Sequence, residues 1–406
     1  MTHYRKLAAA VLVAATGYGA CAASPLQTVP ALPAPLQTAP ALPATTAPVV
    51  RWSGSDAAAL LAELARRQGE GLAATPPARM AALQAALDQH APTLDALADA
   101  AALALAHDYF EGAAPASARA GWDIKGDRID YRAWLDAALV RHDIVASLRA
   151  LLPQSAAYAG LRDALPHCDT PAHCTTIRVN LERWRWLPRA LGTHYLWVNP
   201  AAYRLDLVEG TAIVSTHKVI VGKPAGQTPT FATMVTGVTA NPWWNVPSNI
   251  VAESVGSLVR KRPAEAARRG YVATRGPGGR LAVRQKPGPQ NALGLVKLEM
   301  PNPYSVFIHD TPSRSLFDQE KRAFSHGCIR TQNPIDLAKI LLPAASIPEF
   351  DALLASGTNK TLRLESGVPA YIVYFTAEPD ATAEGGIRYY DDLYRRDARI
   401  AATIDQ

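Results

Sequence analysis

An Ala- and Leu-rich pattern occupies the part of the chain that follows residue 50. Over residues 55–160 apolar side chains recur at helical spacing, and stretches such as "GEGLAATPP" interrupt them. Apolar residues three and four positions apart line one face of an α-helix, while Gly and Pro separate one helix from the next. The pattern therefore predicts an all-helical domain, which we assign to residues 51–165.

A different pattern begins near residue 176. "TIRVNLERWRWLP" opens with alternating apolar and polar positions, and "HYLWVNP" and "TAIVSTHKVIVGK" are β-rich runs bounded by Asn-Pro and Gly. Such runs predict short strands, and "PIDLAKILL" predicts one short helix after them. Many strands with few helices indicate a β-sandwich or a barrel-like sheet. The expected fold class is therefore α+β, with a mostly β, sandwich-like domain over 176–395 and a tail at 396–406.

The first fifty residues show neither pattern. A short basic start precedes an apolar run too short to span a bilayer, and Ala20-Cys21-Ala22 fits the small-residue cleavage site of an export signal. We predict a signal peptide over 1–22, with an uncleaved anchor helix or a lipid on Cys21 as alternatives. Residues 23–50 contain a Pro-rich ten-residue unit written twice, which predicts an extended linker.

Charge is distributed unevenly along the chain. The sequence has 41 Lys and Arg against 35 Asp and Glu, a formal net charge of +6. Residues 253–290 alone hold nine basic and two acidic residues, or +7, so the remainder sums to −1. A cationic lobe beside a cleft attracts an anionic polymer, although a solvated loop is the alternative. Because export is predicted, we do not expect nucleic acid to be the partner.

Two of the four cysteines lie close together in "PHCDTPAHC". Cys168 and Cys174 are each preceded by a His, and two Cys with two His also suggest zinc. Their spacing does not match the usual short zinc motif, and exported proteins favour disulfides. We therefore predict a disulfide within a linker loop over 166–175, and no metal.

Cys328 lies in "FSHGCIRTQ" and has four possible roles: half of a disulfide, an inert buried thiol, a metal ligand or a nucleophile. A nucleophilic thiol needs a base within reach. His309 lies nineteen residues upstream and His326 two residues upstream, and together with Cys328 they could also ligate a metal. Gly327 allows close backbone approach and an N–H directed at an oxyanion. The nucleophile is favoured because an inert thiol explains neither histidine.

The segment "IHDTPSRSLFDQEKRAFSHGCIR" resembles the signature of the L,D-transpeptidase family. It has a His, fifteen intervening residues, Ser-His-Gly-Cys, an apolar residue and an Arg. "VIVGKPAGQTPTF", "NPWWNVP" and "YIVYFTAEPD" extend the resemblance to the large Gram-negative branch with a helical scaffold domain, over roughly 50–395. The resemblance implies a periplasmic enzyme whose capping lobe is residues 253–290. That branch usually has a peptidoglycan-binding module between the scaffold and the catalytic domain. Here about twenty residues take the place of that module.

Such enzymes act on peptidoglycan stem peptides, so the resemblance implies a substrate and a reaction. Cys328 would attack the L-centre carbonyl of meso-diaminopimelate in a tetrapeptide stem and release D-Ala. The acyl group would pass to a diaminopimelate amine to form a 3–3 cross-link, and carbapenems would inhibit the enzyme. A carboxypeptidase or endopeptidase with the same residues is one alternative, and a non-catalytic wall-binding protein is another. The implied protein is a monomer without a cofactor, peripheral to the membrane or wall.

The resemblance also implies roles for individual residues. Cys328 would be the nucleophile and His309 the general base, oriented by a backbone carbonyl. His326 and Gly327 would shape the site, with the N–H groups of Gly327 and Cys328 as oxyanion donors. The residues expected to contact substrate are Ser325, Tyr304, Arg330, Trp243 and Trp244.

Overall fold

The structure is a computed structural model that describes residues 51–275 and 279–404. The predicted signal peptide, Cys21 and the Pro-rich linker lie outside the described residues. Within the described ranges, no helix combines the length and apolar character needed to cross a bilayer.

Helices form the N-terminal part, as the apolar pattern predicts. Ser53 caps the first of them, because its hydroxyl accepts the Asp56 N–H at 3.0 Å. Leu60, Leu64 and Leu105 are buried in a shared core, which stabilises the bundle by removing apolar surface from water. The helices are α1 (Gly54–Arg66), α2 (Pro77–Asp88), α3 (Leu94–Phe110), α4 (Tyr131–Arg141), α5 (Ile144–Ala150), α6 (Ala156–Ala164) and α7 (Pro171–Arg185).

Helix α7 occupies the segment that the alternating pattern assigned to a strand, so that prediction is wrong. Ile177, Leu181 and Trp184 lie on one side of the helix and pack into the core shared with α1 and α3. Val179 and Trp186 pack on another side, against the C-terminal helix. A helix buried on two sides places apolar residues at alternating positions, and this produced a strand-like pattern.

The predicted cysteine pair forms a disulfide immediately before and within the first turn of α7. The Cα atoms of Cys168 and Cys174 are 5.3 Å apart, a normal separation for a bridge. His173 contacts Asp169 and stacks on Tyr389 with ring centroids 3.8 Å apart. Because the two sulfur atoms are bonded to each other, neither is available as the thiolate ligand that the zinc alternative requires.

The β-rich part confirms the expected α+β class, and its main sheet closes on itself. The strand order is β1-β5-β13-β2-β3-β4-β12-β10-β9, and β9 also pairs with β5. This ring is closer to the barrel-like alternative than to a sandwich. The strands of this sheet are β1 (Trp122–Asp123), β2 (His194–Asn199), β3 (Arg204–Glu209), β4 (Ala212–Gly222), β5 (Thr230–Ala240), β9 (Val296–Glu299), β10 (Ile308–His309), β11 (Ala323–Ser325), β12 (Ile329–Thr331) and β13 (Lys360–Ile372).

Alternate residues of the sheet enter two different cores. Leu196, Val198 and Ile372 point inside the ring, where α11 (Pro334–Leu341) and α12 (Ile347–Ser356) complete the core. Trp197 and Tyr371 point outward into the core of the N-terminal helices. The chain ends in the hairpin β14 (Ala377–Pro379) and β15 (Ile387–Tyr389), then α13 (Asp397–Ile404). The helical part is therefore packed directly against the sheet.

The basic insertion folds into a small lobe with its own core of Val246, Val251, Val255 and Val283. Its three-stranded sheet has the order β6-β8-β7. Outside the lobe, the short helix predicted over 334–342 is confirmed as α11. The elements of the lobe are β6 (Trp244–Asn245), α8 (Ser248–Ile250), a π-turn (Val251–Val255), α9 (Gly256–Lys261), α10 (Pro263–Arg268), β7 (Tyr271–Arg275) and β8 (Leu281–Gln285).

Candidate active site

Two adjacent parallel strands bring Cys328 and His309 together. In the β10–β12 pair, Ile308 lies opposite Ile329 and His309 opposite Arg330. Both isoleucines are buried inside the ring. Because side chains alternate along a strand, His309, Arg330 and the preceding Cys328 face the opposite way, on the outer side of the sheet. His309 and Cys328, nineteen residues apart in sequence, are thus brought to the same face of the sheet on neighbouring segments.

His309 is held as a neutral imidazole. Its side chain is buried, and its Nδ1 donates to the carbonyl oxygen of Asp310 at 2.5 Å. This bond fixes the tautomer and leaves Nε2 with a free lone pair. Burial lowers the pKa of His309 to about 3, helped by the positive charge of Arg330 and opposed by backbone carbonyls. The imidazole therefore has the form that a general base requires.

Asp310 is itself fixed by the turn that precedes β9. Its carboxylate accepts the Leu295 N–H at 2.8 Å, and its own N–H donates to the Val296 carbonyl at 2.8 Å. Gly294 has a φ of 62°, and a Cβ at that position would overlap the Asp310 carboxylate. A glycine is therefore required for the close approach that holds the carbonyl against His309.

The Cys328 thiol is half-buried and contacts the Ser305 carbonyl oxygen at 3.7 Å. Burial raises the pKa of the thiol above its ordinary value, while the Phe307 backbone and the nearby charges of Arg330 and Lys297 oppose the rise. A thiol in this environment is protonated at neutral pH. Reaction therefore requires transfer of its proton to a base at the moment of attack.

The Ser-His-Gly-Cys turn is held by its own side chains. Ser325 is buried, donates to the Cys328 carbonyl at 2.6 Å and accepts the Gly327 N–H at 3.1 Å. Two predictions need correction for this reason. Ser325 holds the turn instead of facing a substrate, and the Gly327 N–H is already used instead of pointing at an oxyanion. Gly327 has a φ of 120°, which explains why a glycine occupies this position.

A second loop clamps the same turn from the side. The Thr228 hydroxyl donates to the Gly327 carbonyl at 2.8 Å and accepts the Gly222 N–H at 3.0 Å. The Tyr394 hydroxyl donates to the Gly222 carbonyl and accepts the Thr228 N–H. Thr228 is fully buried, so its hydrogen bonds are shielded from water. Neither side chain is predictable from the sequence, because neither lies near Cys328 in the chain.

Two cations flank the thiol on the outer face of the sheet. Arg330 is half-buried and, among the described residues, has no carboxylate partner, which leaves its guanidinium available for an anion. Burial lowers the pKa of Arg330, and the Cys328 side chain opposes that shift. Lys297 lies opposite His309 on β9, pairs with Glu299 at 2.9 Å and stands over the Phe307 ring. The placement of Arg330 is consistent with the predicted carboxylate contact.

His326 points away from the thiol toward the basic lobe. Its Nε2 lies 2.8 Å from a carboxylate oxygen of Glu253, and Lys223 is 3.3 Å from the same nitrogen. The positive neighbours hold the pKa of the Glu253 carboxyl below its usual range, with the His326 hydrogen bond as the largest cause. His326 therefore connects the catalytic turn to the lobe, and it does not form a three-ligand metal site with His309 and Cys328.

Tyr304 makes a different contact from the predicted one. Its hydroxyl donates to the carboxylate of Asp123, a residue of the helical part of the chain, and this contact raises the pKa of Tyr304. Its ring packs on Phe231 with centroids 5.1 Å apart. Tyr304 therefore ties the loop beside Cys328 to β1, and its hydroxyl is not directed at the thiol.

Trp243 and Trp244 lie where the lobe joins the sheet. Trp244 packs against the small core of the lobe, while the guanidinium of Arg284 lies 4.5 Å from the centroid of the Trp243 ring. The two tryptophans, which were expected to contact substrate, therefore support the lobe instead. Lys297, Thr228, Asp123 and Glu253 were not predicted, because only the folded chain brings them near the thiol.

Comparison with known proteins agrees with this geometry. Residues 193–348 match the model of the L,D-transpeptidase catalytic domain, and residues 49–165 match the model of a scaffold domain. A curated protein of Haemophilus influenzae, whose name describes it provisionally as an L,D-transpeptidase, is 28% identical over 242 residues. The match covers 55% of this chain and 48% of that protein, so the chain spans about half the length of this relative.

Two solved structures show a weaker likeness. An L,D-transpeptidase from Mycobacterium smegmatis is 14% identical, covers 44% of this chain and 58% of its own, and gives a TM-score of 0.24. An L,D-transpeptidase in complex with imipenem is 14% identical. Its match covers 45% of this chain and 59% of its own length, with a TM-score of 0.24. TM-scores this low establish no shared fold by themselves. The two domain matches therefore show a region similar to an L,D-transpeptidase catalytic domain, preceded by a region similar to a scaffold domain.

Proposed function

We propose that this chain is a cysteine acyltransferase that forms 3–3 cross-links between peptidoglycan stem peptides. The observation that supports this most directly is the pairing of a protonated thiol with a neutral, oriented imidazole on adjacent strands. The implied donor is a tetrapeptide stem, and the implied acceptor is the side-chain amine of diaminopimelate on a second stem. The export signal predicted over 1–22 suits a periplasmic location for this substrate.

The first half-reaction begins with proton transfer. Nε2 of His309 takes the Cys328 proton as the sulfur attacks the carbonyl carbon at the L centre of diaminopimelate. A carbon–sulfur bond forms and the carbonyl oxygen becomes an oxyanion. When the tetrahedral intermediate collapses, the imidazolium returns its proton to the departing amine, and D-Ala leaves. The product is a thioester on Cys328.

The second half-reaction reverses these roles. The acceptor amine loses a proton to His309 as its nitrogen attacks the thioester carbonyl, and the carbon–sulfur bond then breaks. The Cys328 sulfur recovers the proton from the imidazolium, so no external base is consumed. Hydrolysis follows the same path with water in place of the amine, which is the carboxypeptidase alternative.

Charges near the thiol suit a substrate that carries carboxylates. Arg330 is proposed to hold a carboxylate of the donor stem, because a guanidinium binds a carboxylate through two parallel hydrogen bonds. With the Gly327 N–H occupied by Ser325, the N–H of Cys328 is the remaining backbone donor proposed for the oxyanion. Asp310 contributes through its carbonyl oxygen, which keeps the imidazole in the required tautomer.

Purified muropeptides provide the test. Disaccharide tetrapeptides incubated with the full chain should give 3–3 dimers and free D-Ala, separable by chromatography and identified by mass spectrometry. Cys328→Ala should abolish both products, whereas the control Cys21→Ala should leave both unchanged. Free D-Ala with tripeptide monomers and no dimers would replace the transferase proposal by the hydrolase. Dimer formation by Cys328→Ala would refute both.

A further inference from the structure

A second cleft lies where the N-terminal helices meet the sheet. The loop between α3 and α4 forms one wall, and the end of α7 with the residues after it forms the other. The cleft encloses about 740 Å³, enough for a short peptide segment. It belongs to neither the thiol site nor the basic lobe.

The lining of this cleft has an excess of positive charge. Three acidic residues face it, against five basic residues, of which Arg185 already pairs with Glu182. The basic residues are Arg119, Lys125, Arg128, Arg185 and Arg189. Lys125 and Arg128 are exposed at its rim, while Arg119 and Arg189 are half-buried within it. Partly desolvated cations in a concave surface attract and orient an anion more strongly than cations on an open surface.

The inner arginines are held in place without being neutralised. The Arg189 guanidinium donates to main-chain carbonyl oxygens, including those of Leu151 at 3.0 Å and Phe110 at 2.5 Å. Arg119 likewise donates to the Ala114 carbonyl at 2.9 Å and lies over the Trp186 ring. Within the described ranges neither pairs directly with a carboxylate. Carbonyl oxygens fix a guanidinium but supply no counter-charge, so an anion from outside would be stabilised there.

Two buried donors, one in each wall, have no acceptor among the described residues. They are Nε of Arg185, whose side chain is 2% exposed, and Nε1 of Trp122. A buried donor without an acceptor is rare and costs free energy, and either a water molecule or an oxygen-bearing ligand would supply the acceptor. Arg185 uses its other nitrogens on Glu182 and the Tyr158 hydroxyl. Its unpaired Nε therefore remains available to such an acceptor.

The cleft is connected to the thiol site through β1. Trp122 and Asp123 pair with Thr230 and Phe231 of β5. Asp123 also accepts a hydrogen bond from Tyr304, and the next residue, Ser305, contacts the Cys328 sulfur. Two contacts, Asp123 with Tyr304 and Ser305 with Cys328, thus join the cleft wall to the loop beside the thiol.

We propose that this cleft binds a carboxylate of a peptidoglycan stem peptide whose reactive end lies at Cys328. The inference rests on the proposed function for the identity of the peptide, while the cationic cleft and its unpaired donors specify the carboxylate. It assigns a substrate-binding role to the junction between scaffold and catalytic domains. That role would compensate for the peptidoglycan-binding module that this chain replaces with a short connection.

Binding measured on an inactive full chain tests the proposal. Isothermal titration calorimetry with Cys328→Ala gives the Kd of a diaminopimelate-containing tetrapeptide and of the same peptide with its carboxylates converted to amides. The test variant adds Lys125→Gln and Arg128→Gln at the exposed rim, where folding is not at risk. The matched control adds Arg79→Gln and Arg363→Gln, two exposed cations elsewhere on the surface.

We expect the rim variant to weaken binding of the tetrapeptide at least about fivefold and the control variant to leave it unchanged, since each exposed charge has a small effect. The amidated peptide should bind the test and control variants equally. Trp122→Phe, which keeps an aromatic ring but removes the indole N–H, should also weaken binding of the tetrapeptide. Equal affinity for all variants, or an equal loss with the control, would overturn the proposal.

The proposed function can fail separately. Release of D-Ala by the wild-type chain is measured on the same peptide. If D-Ala is released while the rim variant binds like the control, the cleft is wrong and the acyl-transfer chemistry stands. If no D-Ala is released but binding depends on the rim and the carboxylates, the cleft stands and the acyl-transfer chemistry is wrong.

Discussion

His309 and Cys328 form an uncharged pair before substrate arrives. Burial drives both groups toward their neutral forms, lowering the pKa of His309 to about 3 and raising the pKa of Cys328. The two nearby cations assist the first shift and oppose the second. This arrangement differs from a thiolate–imidazolium pair, in which the thiol is deprotonated in advance.

The first prediction concerns pH. A general base must be neutral, and two pH units above its pKa about 99% of an imidazole is neutral. Carbapenem acylation of the chain, followed by intact mass, should therefore be nearly constant from about pH 5 to 8 and rise above that range as Cys328 deprotonates.

An inflection near pH 6.5, with slower acylation on the acid side, would contradict this account, because it would indicate an ordinary histidine. His326→Gln provides the control. His326 is exposed to solvent and contacts Glu253, so any inflection that this variant removes belongs to His326 and not to the base.

Sequence spacing singled out His309 and Cys328 as candidate reacting residues but did not identify the residues that support them. His309 and Cys328 share a recognisable segment, and the structure brings them onto neighbouring strands. The partner of Tyr304 lies 181 residues away, and Ser325 binds the backbone of its own turn. A hydroxyl near a nucleophile in sequence has many possible acceptors, and only the folded chain selects one.

At the scale of elements, the helical part and the β-rich part were predicted, but α7, β1, the elements of the lobe and the final helix α13 were not. The apolar residues of α7 serve two cores, so a one-sided helical pattern is absent. Closure of the sheet was equally hidden, because it depends on β9 pairing with both β10 and β5. Local propensity indicates a strand but does not identify its neighbours.

The second prediction concerns the bridge at the start of α7. Replacing Cys168 and Cys174 by Ala opens a short covalent loop. In the chain-entropy description, the bridge that closes this loop stabilises the folded chain by about 2 kcal/mol. The free energy of unfolding, measured in urea, should fall by about that amount.

The carbapenem acylation rate should not change in this double variant, because the bridge lies outside the thiol site. Ala22→Ser provides a control for substitution outside the described residues. Unchanged stability would mean that the packing of His173 on Tyr389 already fixes the turn, whereas slower acylation would indicate an unexpected coupling between α7 and the site.

At the scale of the whole molecule, three parts meet around the segments that carry Cys328. The sheet carries Cys328 and His309, the helical part of the chain supplies Asp123 to Tyr304, and the basic lobe supplies Glu253 to His326. The composition predicted a cationic lobe, but it could not reveal that the lobe is held against the catalytic turn by one of its few acidic residues.

The third prediction concerns this lobe contact. Glu253→Gln keeps the size of the side chain but removes its charge toward His326 and Lys223. Exposed ion pairs contribute little to stability, so amide hydrogen exchange within residues 246–285 should become only about two- to fivefold faster. The rate of carbapenem acylation should change by no more than that factor.

Glu265→Gln is the matched control, because Glu265 pairs with Arg262 and Arg269 inside the lobe. It should leave the exchange of residues that adjoin the catalytic turn unchanged. If Glu253→Gln and Glu265→Gln behave alike, the contact with His326 does not hold the lobe.

Cys328 is tested most directly by peptide mapping of the chain after brief reaction with a tetrapeptide stem whose diaminopimelate side-chain amine is acetylated, so that no acceptor is present. We expect a thioester adduct on Cys328 that increases the mass of its peptide by the mass of the tetrapeptide minus the mass of free D-Ala. Cys328→Ala should show neither the adduct nor release of D-Ala. Release of D-Ala that persists in Cys328→Ala, or an adduct on any other residue, would contradict the assignment of Cys328 as the nucleophile.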